Sequence, residues 1–173
     1  GAGEGVQQGP TVLGGDPDTV LLATAPDTPG DLRMIGRREL RSINSWMHNV
    51  DRLVRSQSPT LLTHPADARA HGVTDGAAGE VATANGRIIP TAELSDEVRE
   101  GVVSYPHGWG HDGSWALANG QSGQNVNLLV ATDPGEVEQI SGASYLDGFR
   151  VTLRCIGEGA GRPSEALATK PAN

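Results

Sequence analysis

Residues 32–49 read LRMIGRRELRSINSWMHN: an apolar run, Leu32-Arg33-Met34-Ile35, and then fourteen positions, Gly36 to Asn49, holding three arginines, two serines, two asparagines, a tryptophan and a histidine. The apolar run predicts a short strand, which makes the polar stretch its exit. That exit collects binding chemistry. It offers a glycine that lets backbone approach a ligand, forked guanidinium donors matched to phosphate, and hydroxyl and amide groups that pair with a heteroaromatic edge. The mixture suits an anionic ligand carrying fused rings. The same residues also fit a strand, a polar turn and an exposed basic face, and composition alone does not choose between the two.

The rest of the chain sets the limits. Its 173 residues give room for one domain with a real core. The net charge of −8 excludes nonspecific nucleic-acid binding, which needs a basic field to displace counterions. Positive charge is local instead: Lys170 is the only lysine, and four of the twelve arginines fall between Arg33 and Arg41. Cys155 is the only cysteine, so an intramolecular disulfide is impossible and a reducing, cytoplasmic setting is the expectation. The sequence holds no apolar run of about 18 residues to span a bilayer, and its first residues lack the regions of a signal peptide. Any export signal would lie upstream or on another chain.

Read outward from residues 32–49, the chain divides into a linker or extension at 1–30, a folded domain at 31–156 and a tail at 157–173. The first thirty residues, rich in glycine and proline, cannot order themselves by burial; Val20-Leu21-Leu22-Ala23 is their one apolar island. Within the domain, Met47 to Val54 has helical spacing and Thr60-Leu61-Leu62 reads as a strand. His64 to Gly72 reads as a helix with Pro65 at its first turn, Asp67 near its positive end and Gly72 as its stop. Glu80–Ala84 and Arg87–Leu94 flank Asn85-Gly86 and predict a hairpin with a type I′ turn. Pro90 makes the second strand an edge or turns its nitrogen outward. Gly101 to Pro106 predicts a further strand, followed by the loop HGWGHDGSW. The glycine-spaced, polar stretch Gly113–Gly123 follows it, and Asn125 begins a capped helical turn. Asp133-Pro134 reads as a structural turn. Phe149 to Ile156 alternates strictly as the last strand. Several short strands with one or two small helices and no strand–helix alternation point to a mainly β, barrel-like domain.

The stretch LRMIGRRELRSINSWMHN also resembles the opening of the C-terminal dinucleotide-binding domain of the molybdopterin oxidoreductases, the formate dehydrogenase-like family. LLTHPADARAHGVTDG, VVSYPHGWGHD, NVNLLVATD and ISGASYLDGFRVTL continue the likeness in the family's order, from about Asp31 to Leu153. The resemblance implies a six-stranded double-psi β-barrel with short peripheral helices. It also implies a molybdopterin guanine dinucleotide cofactor whose molybdenum or tungsten is ligated by another domain. The partners implied are the remaining domains or subunits of an oxidoreductase, with an iron–sulfur cluster among them. Local departures lie at Asp75-Gly76-Ala77-Ala78 with Gly79-Glu80-Val81, and in the padded Gly113–Gly123 loop.

By the same resemblance, Gly36, Arg37, Arg38 and Arg41 would lie along the cofactor's phosphate or pterin, with Ser42, Asn44, Ser45 and His48 adding shorter hydrogen bonds. Trp46 and Met47 serve as apolar walls or simply pack. His107, with Gly108 and Trp109, forms the second element beside a pterin, and Asn127 the third, Asn125 serving equally as a cap. No residue is expected to be catalytic, and the isolated domain is expected to be inactive. Two other readings compete. One is a stand-alone metal-dependent hydrolase built on His107, His111 and Asp112, although two glycines between the histidines disfavour a shared helical face and no third ligand has recognisable spacing. The other is a noncatalytic module whose glycine-rich loops meet a protein partner. His64 and His71 read as turn and helix-surface residues, and Cys155 as a small buried hydrophobe.

Overall fold

The structure is a computed structural model that describes residues 30–112, 117–133, 137–138 and 141–156. The apolar island Val20–Ala23, the Gly113–Trp115 portion of the glycine-rich loop, Pro134 and the terminal segments 1–29 and 157–173 lie outside them.

Leu32–Arg37 is the central strand, β1. Leu32 and Met34 are buried while Ile35 is exposed, the alternation expected of a pleated strand. The strand runs two residues past the apolar run because Gly36 and Arg37 find partners. Six further strands complete a mixed sheet: β2 (Thr60–Thr63), β3 (Gly79–Ala82), β4 (Arg87–Ile88), β5 (Thr91–Leu94), β6 (Val102–Pro106) and β7 (Phe149–Cys155). Their order across the sheet is β4-β3-β7-β1-β6-β2-β5. β1 lies parallel to β6 and antiparallel to β7, and β2 joins β6 antiparallel to β5 parallel. In β6, Val103, Ser104, Tyr105 and Pro106 are buried in succession, as in a strand covered on both faces. Tyr105 stands in the core with Met34, Leu61, Val81, Val103 and Val151, its hydroxyl accepting the Gln124 N–H at 2.8 Å.

Seven strands stand where six were expected. The expected second hairpin strand, 87–94, breaks at Ile89-Pro90 into β4 and β5, because Pro90 has no N–H to continue the ladder. The hairpin itself forms, with Val81 opposite Ile88 and Ala82 opposite Arg87, but its turn is not type I′. Among the described non-glycine residues only Ile43 and Asn44 have positive φ, and Gly86 is not among the positive-φ glycines. A four-residue loop is held instead by Thr83, whose Oγ1 accepts from the N–H of Asn85 at 3.1 Å and of Gly86 at 3.3 Å. Gly86 is required by crowding: a Cβ there would overlap the Leu128 carbonyl.

The expected helix at 47–54 is two pieces, a 3-10 turn Trp46–Asn49 and the single turn α1 (Asp51–Val54), separated by β-branched Val50 in extended conformation. α2 (Pro65–Ala70) forms as expected with proline in its first turn; His64 Nδ1 caps it by accepting the Ala66 N–H at 3.2 Å, and Gly72 turns left-handed at φ 65°. His71 follows it and meets the Leu153 carbonyl at 2.9 Å. Asn125 caps the 3-10 turn Val126–Leu129 by accepting the Asn127 N–H at 3.1 Å. Cys155 is not buried as expected but exposed, because it ends β7 opposite Gly79, which has no side chain to cover it. Among the described residues no helix is long and apolar enough to cross a membrane.

Candidate functional site

Parallel pairing makes β1 and β6 leave the sheet at the same end. Gly36 lies opposite Tyr105 and Arg37 opposite Pro106, and the His107 N–H then donates to the Arg37 carbonyl at 3.2 Å. The imidazole lies against Gly36, where a Cβ would overlap Nε2, so only glycine admits it. Asp147 arrives from the segment ahead of β7: its carboxylate accepts the Gly36 N–H, and the next N–H, of Gly148, donates to the Met34 carbonyl at 2.7 Å. Burial, then the Arg38 guanidinium, push the His107 pKa below the ordinary histidine value, against an opposing pull from Asp147. The ring is therefore neutral at pH 7, able to donate at one nitrogen and accept at the other.

The β1 exit folds into a tight polar turn. Ile43 and Asn44 both adopt left-handed backbone, at φ 46° and 58°, a conformation costly for β-branched isoleucine that persists only where its surroundings impose it. The surroundings are specific. Ser42 is buried and its hydroxyl donates to the Asn44 carbonyl, while Gly108 lies so close behind that a Cβ would overlap the Asn44 backbone. Arg38 Nη1 donates to Asn44 Oδ1 at 2.5 Å. Beneath the turn, His48 Nε2 lies 3.2 Å from Ser42 Oγ, and the His48 ring packs on Trp109 with centroids 4.2 Å apart. Trp109 donates its indole N–H to the Glu39 carboxylate at 3.2 Å, so each connection holds the other in place. The result is a groove of about 460 Å³ edged by Arg37, Arg38, Leu40, Ile43, Asn44 and His107.

The expected site residues therefore separate by position. Arg38, Asn44 and His107 meet in the groove; Ser42 reaches it from below, and Arg41 is exposed on the same turn. Arg37 edges it too, but its guanidinium joins strands, donating to the carbonyls of Ser104 at 3.2 Å and Thr60 at 3.1 Å. Gly36 and Gly108 are the two close approaches. His48 and Trp109 are enclosed, at 0% and 2% exposure, and act from behind. Ser45 and Trp46 edge a neighbouring cleft of about 500 Å³ with Asn49, His111 and Ala118. Trp46 does not pack as its alternative reading expected: it is 80% exposed, because the 3-10 turn that carries His48 inward carries Trp46 outward. Asn127 is exposed on the 3-10 turn beside the hairpin loop and does not line the groove.

Four participants escaped the sequence reading: Glu39 as the anchor of Trp109, Leu40 and Ile43 as exposed apolar edges, and Asp147 on Gly36. Only Asp147-Gly148 carried a signal, a turn pair just before the last strand. His111 Nε2 meets the Gly108 carbonyl at 2.9 Å, and among the described residues no three metal-type side chains converge. A larger cleft, about 660 Å³, lies elsewhere, between the hairpin loop and β7, with Asp31, Thr83, Asn85, Phe149 and Thr152 on its walls. It has donors of its own, Arg150 and Asn85 among them, but not the strained turn of the β1 exit, so size does not decide between them.

The fold agrees with comparison to known proteins. The family model described as the Molydopterin dinucleotide binding domain matches residues 32–145. This chain belongs to that family. Among solved structures it is similar to acetylene hydratase from Pelobacter acetylenicus, with a TM-score of 0.61 and 21% identity over 82% of this chain and 19% of that one. The likeness is one of fold, and this chain spans about a fifth of the length of that enzyme. No curated protein sequence matches it.

Proposed function

We propose that the groove between the β1 exit and His107 holds the phosphate and pterin portion of a molybdopterin guanine dinucleotide, in an enzyme of the formate dehydrogenase-like class. The observation that supports this most is the parallel pairing of β1 and β6, which brings Arg38, Asn44 and His107 to one groove although the histidine lies 63 residues beyond Asn44 in sequence. The donor set fits the group. Arg38 is steadied by a neutral amide and not by a carboxylate, which leaves its charge for an anion, and Arg41 is exposed on the same turn. Of the carboxylates placed here, Glu39 is turned toward the indole N–H and Arg37, and Asp147 accepts the Gly36 N–H. Leu40 and Ile43, 93% and 55% exposed, offer apolar surface to a flat ring, and neutral His107 offers a hydrogen bond to its edge.

When bound, the cofactor supplies redox chemistry at molybdenum or tungsten that this chain's residues do not. The chain's part is holding: Arg38 and Arg41 oppose the phosphates, Asn44 and His107 orient the rings, and Gly36 and Gly108 keep the wall thin. The metal ligand, an iron–sulfur cluster and the substrate path belong to other domains or subunits. The bridge from Ala78 to Thr91, with Ala92 N–H donating to the Ala77 carbonyl at 2.8 Å, ties the residues entering β3 to the far edge strand β5 and supports closure of the sheet as a double-psi barrel.

Calorimetric titration with guanosine diphosphate and inorganic pyrophosphate tests the reading. Arg38→Ala is expected to weaken both by roughly tenfold or more, the worth of a hydrogen bond to a charged group. Equal affinity in wild type and variant would remove Arg38 from the site. The purified chain with added electron acceptor is expected to show no formate oxidation; measurable turnover would refute the holding role.

A further inference from the structure

His48 is a fully buried titratable group beneath the groove, and nothing in the holding role uses it directly. Its hydrogen bonds fix its tautomer. The Asn44 carbonyl only accepts, so the single Ser42 hydroxyl proton points there, and Ser42 Oγ must in turn accept from His48. Nε2 therefore carries the proton and Nδ1 is the bare nitrogen. Nδ1 is buried with no hydrogen-bond partner, which a bare lone pair tolerates better than an N–H would. From Ser42 the connection continues through Asn44, whose side-chain oxygen holds Arg38.

We infer that His48 is a positioning residue that sets Arg38 for an anionic ligand through Ser42 and Asn44, and that its protonation releases this arrangement. The inference rests on the proposed ligand of the groove. A second proton on His48 would have to sit on Nδ1, where no acceptor meets it. Among the described residues no carboxylate contacts its ring: the loop after β6 presents Trp109, whose indole offers a protonated ring a cation–π attraction but no acceptor for Nδ1–H, and His111, with ring centroids 6.2 Å away, and its own turn presents Ser42. Glu39, the carboxylate that holds Trp109, is occupied by the indole N–H and lies 4.0 Å from Arg37. Burial first, and His111 second, lower the His48 pKa, in line with that geometry. Acid thus weakens anion binding at this groove through His48, whereas protonation of His107, which faces the groove, would strengthen it. The two effects differ in sign.

The test has two arms. Nitrogen chemical shifts of His48 in the ligand-free 173-residue chain are expected to show Nε2–H with unprotonated Nδ1 at pH 7.5, and an apparent pKa below 6.5; the opposite tautomer, or titration at or above 6.5, overturns the inference. Affinity for guanosine diphosphate is then followed from pH 8 to pH 5.5 in wild type and in His48→Gln, whose amide still donates to Ser42 but does not titrate. The ratio of the two affinities cancels titration of the nucleotide and of His107. It is expected to fall about five- to tenfold toward acid, the worth of one hydrogen bond, and His48→Leu is expected to bind more weakly than His48→Gln at pH 8. A ratio independent of pH overturns the coupling. Failure of wild type to bind at any pH, with the tautomer as expected, overturns the reading of the groove itself and the inference with it.

Discussion

At Gly36 a single missing methyl group decides whether the groove exists. The His107 imidazole occupies the place a Cβ would take, so Gly36→Ala must push the loop after β6 off the β1 exit. The expected cost is on the order of 2 kcal/mol, as for other overpacked sites, with loss of anion binding beyond that stability loss. Neighbouring arginines divide differently. Arg37 joins carbonyls of two other strands, so Arg37→Ala is expected to lower the unfolding midpoint, while Arg38→Ala is expected to lower affinity and leave the midpoint nearly unchanged. Thermal melts beside titrations separate the two, and the reverse pattern would exchange their roles. His48 and His107 both have lowered pKa values, chiefly through burial, so folding favours their neutral forms. The unfolded chain then binds more protons near its own histidine pKa. The stability they contribute is complete above about pH 6.5 and is lost as pH falls through their folded values. Acid melts are expected to be less pH-dependent in the double glutamine variant; equal slopes would contradict these shifts.

At the scale of elements, the strands were legible because their apolar residues recur with the pleat, as Leu32 and Met34 or Val151 and Leu153, or run together where both faces are covered, as Leu61 and Leu62. The hairpin was legible in place and not in kind. Asn85-Gly86 marks a turn, but the neighbouring Leu128 carbonyl and the Thr83 hydroxyl determine its shape, and both act across tertiary contacts or one-residue chemistry that a dipeptide rule does not see. Thr83→Ala is therefore expected to destabilise the chain by about 1 kcal/mol and Asn85→Ala by less than about 0.5 kcal/mol; the reverse order in denaturant unfolding would restore the type I′ turn. The split of residues 87–94 follows from Pro90, whose effect was foreseen as a weakened edge and realised as a break. Within Gly36–Asn49 the polar residues have no apolar period to say which face inward. Ser42 and His48 therefore looked like ligand donors and are instead the support beneath the turn, while Trp46 is exposed. Asn127 reads as a donor by resemblance and lies outside the groove lining.

For the whole molecule, the decisive relation is between segments far apart in the chain. Parallel pairing of β1 with β6 leaves no local pattern, because no turn joins them, and so pattern reading alone reached a β-rich domain without knowing which loops would meet. The resemblance to the molybdopterin oxidoreductases put both segments beside one pterin, and the match over residues 32–145 shows the family itself. The most direct test follows backbone amide resonances of the chain while guanosine diphosphate is added. The account predicts perturbations concentrated at Gly36–Ser45 and His107–Trp109, with His48 moving as part of the same group. Perturbations gathered instead around Thr83, Asn85, Phe149 and Thr152, at the larger cleft, would contradict it.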